Sequence, residues 1–230
     1  MKQEILDLGF KNLKIYQAPE GYCFTSDSVL LANYIKCHKT DKVVEFCAGS
    51  GVISILLSKK QNPASICAFE IQKRLADMFA GSVELNNLEK QIQVINAPLE
   101  KCLDFVPRAF ADVVFCNPPY MEGGDHSDNQ EIAIATHEIE TNLDSILENA
   151  EKVLKYGGKF YIVHKADRLV DVMCAFRKHH IEPKKLCIVY PNEKAEPAIF
   201  LMMGTKYGKK GLRISKAIFA EDFKYSTDSF

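Results

Sequence analysis

The sequence predicts an α/β protein built on a mostly parallel sheet with helices on both faces. Three observations predict it. From residue 42 onward, short apolar runs alternate with stretches of helical periodicity. The first of these runs ends in a glycine turn, EFCAGSG (45–51), that opens directly into a helical stretch. A chain of 230 residues that is 47% hydrophobic can also bury the core such a sheet needs as one domain.

Taken in order, KVVEFCA (42–48) reads as the first strand and GVISILLSKK as the helix after it. ASICAFE (64–70) is the second strand. KRLADMFAGSVELNNL then places Leu75, Met78, Phe79, Val83 and Leu85 on one side of a helix. QIQVINA (91–97) and ADVVFC (111–116) are the third and fourth strands. After a polar loop (122–130), NLDSILENAEKVLKYGG forms a helix that starts near Asn142 or Asp144 and stops at Gly157 and Gly158. KFYIVH (159–164) is the fifth strand, ADRLVDVMCAFRKHH a helix, and LCIVY and AIFLMM the two closing strands, giving seven in all.

Residues 1–40 form an N-terminal extension: a short hairpin in LKIYQAPEGYCF around Pro19 and Gly21, then a helix, SDSVLLANYIK, capped by Ser26 or Asp27. It is too short to be independent and should pack on the core at 41–206. Residues 207–230 are expected to be a basic C-terminal tail.

The net charge of -1 hides an asymmetry. Residues 1–151 hold 13 Lys/Arg against 22 Asp/Glu, a balance of -9, and residues 152–230 hold 16 against 8, a balance of +8. A basic half suits a polyanion. In KYGKKGLRISK (206–216), Tyr207 is interleaved with lysines, which fits phosphate contact and base stacking, or else a solvated tail. The eight cysteines include no CxxC pair and fall mostly in apolar runs, as expected in a reducing compartment. Glu4 and Asp7 interrupt any signal-peptide core, and no run is long enough to span a membrane. These features point to the cytoplasm, away from membranes, with no obligatory protein partner inferred.

Gly49 and Gly51 allow a tight turn with close approach of a ligand, at a helix start with unpaired N–H groups. Glu70, nineteen residues after Gly51, ends the second strand where a carboxylate can accept from both hydroxyls of a ribose, with Ile71 beside it. The third glycine of a dinucleotide site is replaced by Ser54. Glu45, four residues before Gly49, places an acid at the pocket floor to hold a cationic amino group. S-adenosylmethionine has an adenosine, an amino group and no pyrophosphate, and it fits this set better than a nicotinamide dinucleotide. Cys47 lines the same turn.

The fourth strand ends abruptly in FCNPPY (115–120). Two prolines give nothing to a sheet ladder, so the strand stops where Asn117 emerges. In an open α/β sheet the carboxyl ends of strands at the switch in strand order form the ligand crevice. There, the Asn117 amide oxygen and the Pro118 carbonyl can each accept a hydrogen bond from one planar amine. Pro119 holds the turn rigid, and Tyr120 can stack on the amine's ring. Such an amine is a weak nucleophile, and fixing it in line with a methyl donor is much of the catalysis it needs. No metal or covalent intermediate is required.

With these motifs the sequence resembles the class I S-adenosylmethionine-dependent methyltransferases that act on amino groups. Within them it is most similar to the bacterial tRNA1(Val) adenine-N(6) methyltransferases, over roughly residues 15–206. The likeness rests on FTSDSVLLANY (24–34), EFCAGSG, Glu70, FCNPPY, IATHE (134–138) and VHKADRL (163–169). It implies a Rossmann-like fold and a methyl transfer to an adenine 6-amino group of tRNA beside the anticodon. It also implies that Ser26 and Asp27 lie against the methionine end of the cofactor, and Asn96 and Ala97 beside its adenine. Glu45 and Cys47 stand where the family more often has Asp and Gly, and Thr136 stands where it has a basic residue. The candidate RNA contacts are Lys165, Arg168, Lys206, Lys209, Lys210 and Arg213. The same NPPY tetrapeptide serves methylators of ribosomal RNA guanine, DNA adenine and release-factor glutamine. A nicotinamide-dependent oxidoreductase and a binding-only protein are the readings from other classes.

Overall fold

A computed structural model describes residues 3–18, 23–119 and 142–222. Among the described residues, eleven strands and five α-helices follow one another along the chain. Strands β1 (Glu4–Asp7) and β2 (Lys14–Gln17) make an antiparallel hairpin, followed by α1 (Ser26–Tyr34). Next come β3 (Lys42–Phe46), α2 (Val52–Lys60), β4 (Ser65–Glu70), α3 (Lys73–Leu85), β5 (Ile92–Asn96) and β6 (Ala111–Cys116). Helix α4 (Leu143–Val153), β7 (Leu154–Lys165), α5 (Leu169–Lys178), β8 (Ile181–Tyr190) and β9 (Ile199–Lys206) complete the expected set. Two short strands, β10 (Arg213–Ile214) and β11 (Ile218–Phe219), are additional.

The main sheet runs β5-β4-β3-β6-β7-β9-β8-β10, with β11 also on β8. Its pairings are parallel except those of β9, which runs antiparallel to both β7 and β8. Strand order reverses between β3 and β6, which are hydrogen-bonded neighbours with Phe46 opposite Cys116. The two chain segments leaving those residues therefore emerge side by side at the carboxyl edge.

Period-2 alternation divides the core into two layers. Val43, Val113, Phe115, Tyr161 and Val163 face α1 and α2, whereas Val44, Phe46, Val114, Phe160 and Ile162 face α4 and α5. Helix α2 is buried from Val52 to Ser58, as expected of a helix apolar all round. Each fully buried Phe, such as Phe46, Phe115 and Phe160, contributes about 1.5–3 kcal/mol by leaving water.

Several local expectations are corrected. A hairpin turns at Gly9–Asn12, where Gly9, Lys11 and Asn12 all have positive φ, and the turn expected around Pro19 and Gly21 lies outside the described residues. Asp7 Oδ1 accepts from Gly9 N at 2.8 Å and closes the Gly9–Asn12 turn. Helix α1 starts after Thr25, which makes no side-chain cap; Ser26 Oγ donates to Asp27 Oδ1. Asn142 does cap α4, accepting from Ser145 N at 2.9 Å. That helix ends at Val153, before the glycines, because Leu154 is fully buried and already pairs with Ala111 on β6. Gly157 (φ 75) then sits in a register shift of β7. The segment after Lys206 is not a detached tail: through β10 and β11 it climbs the outer edge of β8, so the sheet has nine strands where seven were expected.

Candidate active site

The turn from β3 to α2 bends through three residues of positive φ, Cys47 (55°), Gly49 (56°) and Gly51 (79°). Gly51 is required twice over, by its φ and because a Cβ there would overlap the Phe79 ring of α3. Cys47 holds a left-handed backbone without being glycine, a local cost that marks this position. Ala48 N donates to Phe69 O at 3.0 Å, tying the turn to β4.

Glu70 lies at the carboxyl end of β4, as expected, and is buried. Its Oε2 accepts from Gly49 N at 2.7 Å and its Oε1 from Gln72 N at 2.9 Å, so the acid clamps the glycine turn from below. Asn96, opposite Glu70 on β5, donates to the Glu70 and Ile71 carbonyls at 2.9 Å each. Its amide nitrogen therefore shapes the end of β4. Ala97 is buried behind it, and Ile71 presents an exposed apolar side chain at the rim.

Glu45 projects from β3 toward α2 and is almost fully buried. Ser54 donates its hydroxyl to Glu45 Oε2. The missing third glycine thus supplies a partner for the acid. Burial pushes the Glu45 carboxyl up to about 8; the Ser54 bond opposes that and the Glu70 carboxylate adds to it. Near neutral pH this favours the neutral form of Glu45 over the standing anion the sequence suggested.

Asn117 leaves β6 next to this turn, with Pro118 and Pro119 buried after it. Its Nδ2 donates to Ser28 Oγ on α1 at 3.0 Å, while its Oδ1 is buried with no hydrogen-bond partner among the described residues. A buried, unpaired amide oxygen is costly, so its persistence points to a ligand donor. The hydroxyl of Ser50, in the glycine turn, is likewise buried without a partner. Phe24, Ser28, Cys47, Ser50 and Asn117 share one small cavity. Cys116, beneath it, is fully buried; burial and a hydrogen bond with the Cys47 thiol hold its own thiol well above the ordinary range, which suits no nucleophile.

Ser26 is exposed and Asp27 half-buried at the start of α1, beside this cavity through Ser28. Ser28 was missed by sequence reasoning. The only signal was its place as the next residue in FTSDS, where a buried serine on an apolar helix needs a polar partner. Tyr120, the loop at 122–130 and the IATHE stretch lie outside the described residues.

The candidate RNA contacts separate into three groups. Lys165 and Arg168 sit at the carboxyl end of β7, on the crevice side; Arg168 Nε also pairs with Asp171 at 2.7 Å. Lys209, Lys210 and Arg213 are exposed, but β9 runs antiparallel and delivers Lys209 and Lys210 to the opposite end of the sheet. Lys206 is withdrawn from the surface: its ammonium donates to Leu154 O at 3.0 Å and pairs with Glu151 at 3.0 Å. Burial makes it a structural lysine that locks β9 to the end of α4, not a phosphate contact. No helix among the described residues is long and apolar enough to cross a membrane.

A family model described as "Methyltransferase small domain" matches residues 24–179. A protein of Photobacterium profundum named tRNA1(Val) (adenine(37)-N6)-methyltransferase is 24% identical over 187 residues, 80% of this chain and 78% of its own. Among solved structures, a predicted O-methyltransferase, protein Atu636 of Agrobacterium tumefaciens, superposes with a TM-score of 0.68 at 15% identity, covering 84% of this chain and 86% of that one. Trm5 of Methanocaldococcus jannaschii, solved with adenosine, gives 0.64 at 15% identity over 90% of this chain and 56% of that one. The structural likenesses carry the fold.

Proposed function

Because the chain belongs to the methyltransferase small domain family, we propose that it transfers a methyl group from S-adenosylmethionine to the exocyclic 6-amino group of an adenine in tRNA, beside the anticodon of a valine tRNA. The observation that carries this is the buried, unpartnered Oδ1 of Asn117, fixed by Ser28 next to the glycine turn.

The residues present fit the cofactor. Two side-chain oxygens, on Asn117 and Ser50, are buried without partners, and Glu70 and the glycine turn form a cradle at a helix start. Glu70 and Ile71 would hold its nucleoside, and Glu45, Ser26 and Asp27 its amino acid end. S-adenosylmethionine supplies an electrophilic methyl group when bound.

The rest is done by the chain. Asn117 Oδ1 accepts one amino proton of the target base, and the Pro118 carbonyl accepts the other. With both protons drawn outward, the nitrogen lone pair points toward the methyl donor. Ser28 prevents the Asn117 amide from turning, so little reorganisation is left for the moment of transfer. The bound cofactor would supply its methyl group to this nitrogen, which would then lose one proton to solvent. Adenine fits better than an aliphatic amine because two planar acceptors match a planar NH2. The curated relatives named for this reaction support the choice of tRNA, and a tRNA substrate supports a cytoplasmic location.

The test is transfer of radiolabelled methyl to total tRNA from a strain lacking the gene, followed by nucleoside analysis. Label recovered as 6-methyladenosine in one tRNA is expected. Label found only in ribosomal RNA, DNA or a release factor would overturn the substrate while keeping the chemistry.

A further inference from the structure

The sheet has a second end that the proposed chemistry does not use. At the start of β7, Tyr156 is 81% exposed. Its ring stacks on that of Tyr207, with centroids 5.7 Å apart at 24°, and Tyr207 stacks in turn on His180, at 5.5 Å and 28°. This three-ring ladder is built deliberately. His180 and Tyr207 both hold positive φ without being glycine, at 58° and 54°, and are joined by a 2.7 Å bond from Tyr207 N to His180 O. Tyr207 Oη also donates to Glu151 at 3.0 Å. Tyr156 is the outer rung, with one face on Tyr207.

The surface around the ladder is cationic. The acids on the elements that build this end are already engaged: Glu151 with Lys206, Glu182 with Arg177 and Asp112 with Lys155. Lys209 and Lys210, just after Tyr207, are exposed, and among the described residues neither has an acid within ion-pair distance. Lys184 Nζ donates to Lys209 O at 2.9 Å and pins the lysine segment beside β8. An open aromatic face flanked by unpaired cations matches a base and its phosphates, and that charge complementarity selects a nucleic acid over an apolar partner.

Tyr156 lies in the register shift of β7 just after Leu154, which pairs with Ala111, and Ala111 is five residues down β6 from Cys116, roughly 15 Å below the crevice at ~3.3 Å per residue. We infer that this end of the sheet is a second RNA-contact surface, on which Tyr156 stacks an unpaired base while Lys209 and Lys210 hold neighbouring phosphates. The inference rests on an RNA substrate and adds where a distant part of that RNA is gripped.

The experiment is filter binding of tRNA and of a short oligouridylate to the wild-type protein, Y156A, Y156F and K209E/K210E across a salt series, with methyl transfer measured in parallel. Y156A is expected to bind both RNAs roughly ten-fold more weakly, and Y156F to bind as wild type. K209E/K210E should lower the salt slope by about two. For Y156A the KM for tRNA should rise while kcat at saturation stays unchanged, with an unaltered melting temperature. Equal RNA affinity of Y156A and wild type would overturn the inference even if methyl transfer proceeds. Loss of a wild-type dimer in Y156A would overturn it in favour of a second copy. RNA binding that depends on Tyr156 without any methyl transfer to RNA would instead sink the proposed function and leave this surface standing.

Discussion

The two ends of the main sheet hold opposite kinds of chemistry. At the carboxyl edge, polar atoms are buried and left without partners: Asn117 Oδ1 and Ser50 Oγ face a cavity, over two acids, Glu45 and Glu70. At the amino edge the pattern is reversed. Acids are tied to cations, Lys206 is saturated with hydrogen bonds, and what remains open is an aromatic face and a set of lysines. The acidic half of the sequence builds the first end and the basic half most of the second. A small ligand needs buried, pre-oriented acceptors, while a large polyanion needs exposed charge and flat rings. The fold keeps these needs apart at opposite ends of the same strands.

The largest effect that sharpens this contrast is expected from Asn117→Ala. Removing the side-chain acceptor proposed for the reacting amine should lower kcat by about 10²–10³-fold, as loss of a pre-oriented polar group does elsewhere. Calorimetric binding of the cofactor should be nearly unchanged; equal loss of both would contradict the assigned role. Gly51→Ala comes next. The added methyl must displace the Phe79 ring from a left-handed backbone, at a cost of roughly 1–3 kcal/mol, read as a lower thermal midpoint together with weaker cofactor binding.

Ser28→Ala should be milder. The Asn117 amide loses its anchor but keeps its oxygen, and one lost hydrogen bond of about 1.4 kcal/mol would slow transfer about ten-fold. Ser28→Thr, if it fits, should restore the rate. A Ser28→Ala enzyme as fast as wild type would show that Asn117 is held by its backbone alone.

The smallest effect comes from Glu45→Gln and is read through pH. The folded carboxyl sits at about 8, above its ordinary 4.5. The stability that goes with its neutral form is complete below the ordinary value and drains away as pH rises through 8. Gln cannot ionise. The thermal midpoint of Glu45→Gln relative to wild type should therefore climb between pH 5 and pH 9, and a flat difference would mean that Glu45 is already charged in the folded protein.

Much of the carboxyl edge was legible in the sequence because its chemistry is carried by contiguous motifs. The glycine turn is in place after β3, Glu70 ends β4, and Asn117 leaves β6 where strand order reverses. The seven principal strands were each visible as apolar runs. What escaped was anything decided by side-chain geometry across the fold. Ser28 meets Asn117 only because α1 packs over the switch point. The protonation of Glu45 follows from burial, which a charge count cannot see. Lys206 looked like its basic neighbours, yet strand alternation turns it inward onto Glu151 and Leu154. The lysines at 209 and 210 looked like companions of the catalytic crevice, and the antiparallel direction of β9 carries them to the far end instead.

The climb of residues 213–219 along β8 has a consequence for solubility. Strand β8 is ten residues long and would otherwise end the sheet with an open row of N–H and C=O groups, a template for pairing with another chain. Two short strands occupy that row at Lys185–Leu186 and at Val189–Tyr190, and the exposed Lys216 lies between them. The segment thus acts as a selvedge on this side of the weave: it breaks the β8 border into short covered stretches, and a chain trimmed back to Lys206 would be left unhemmed there.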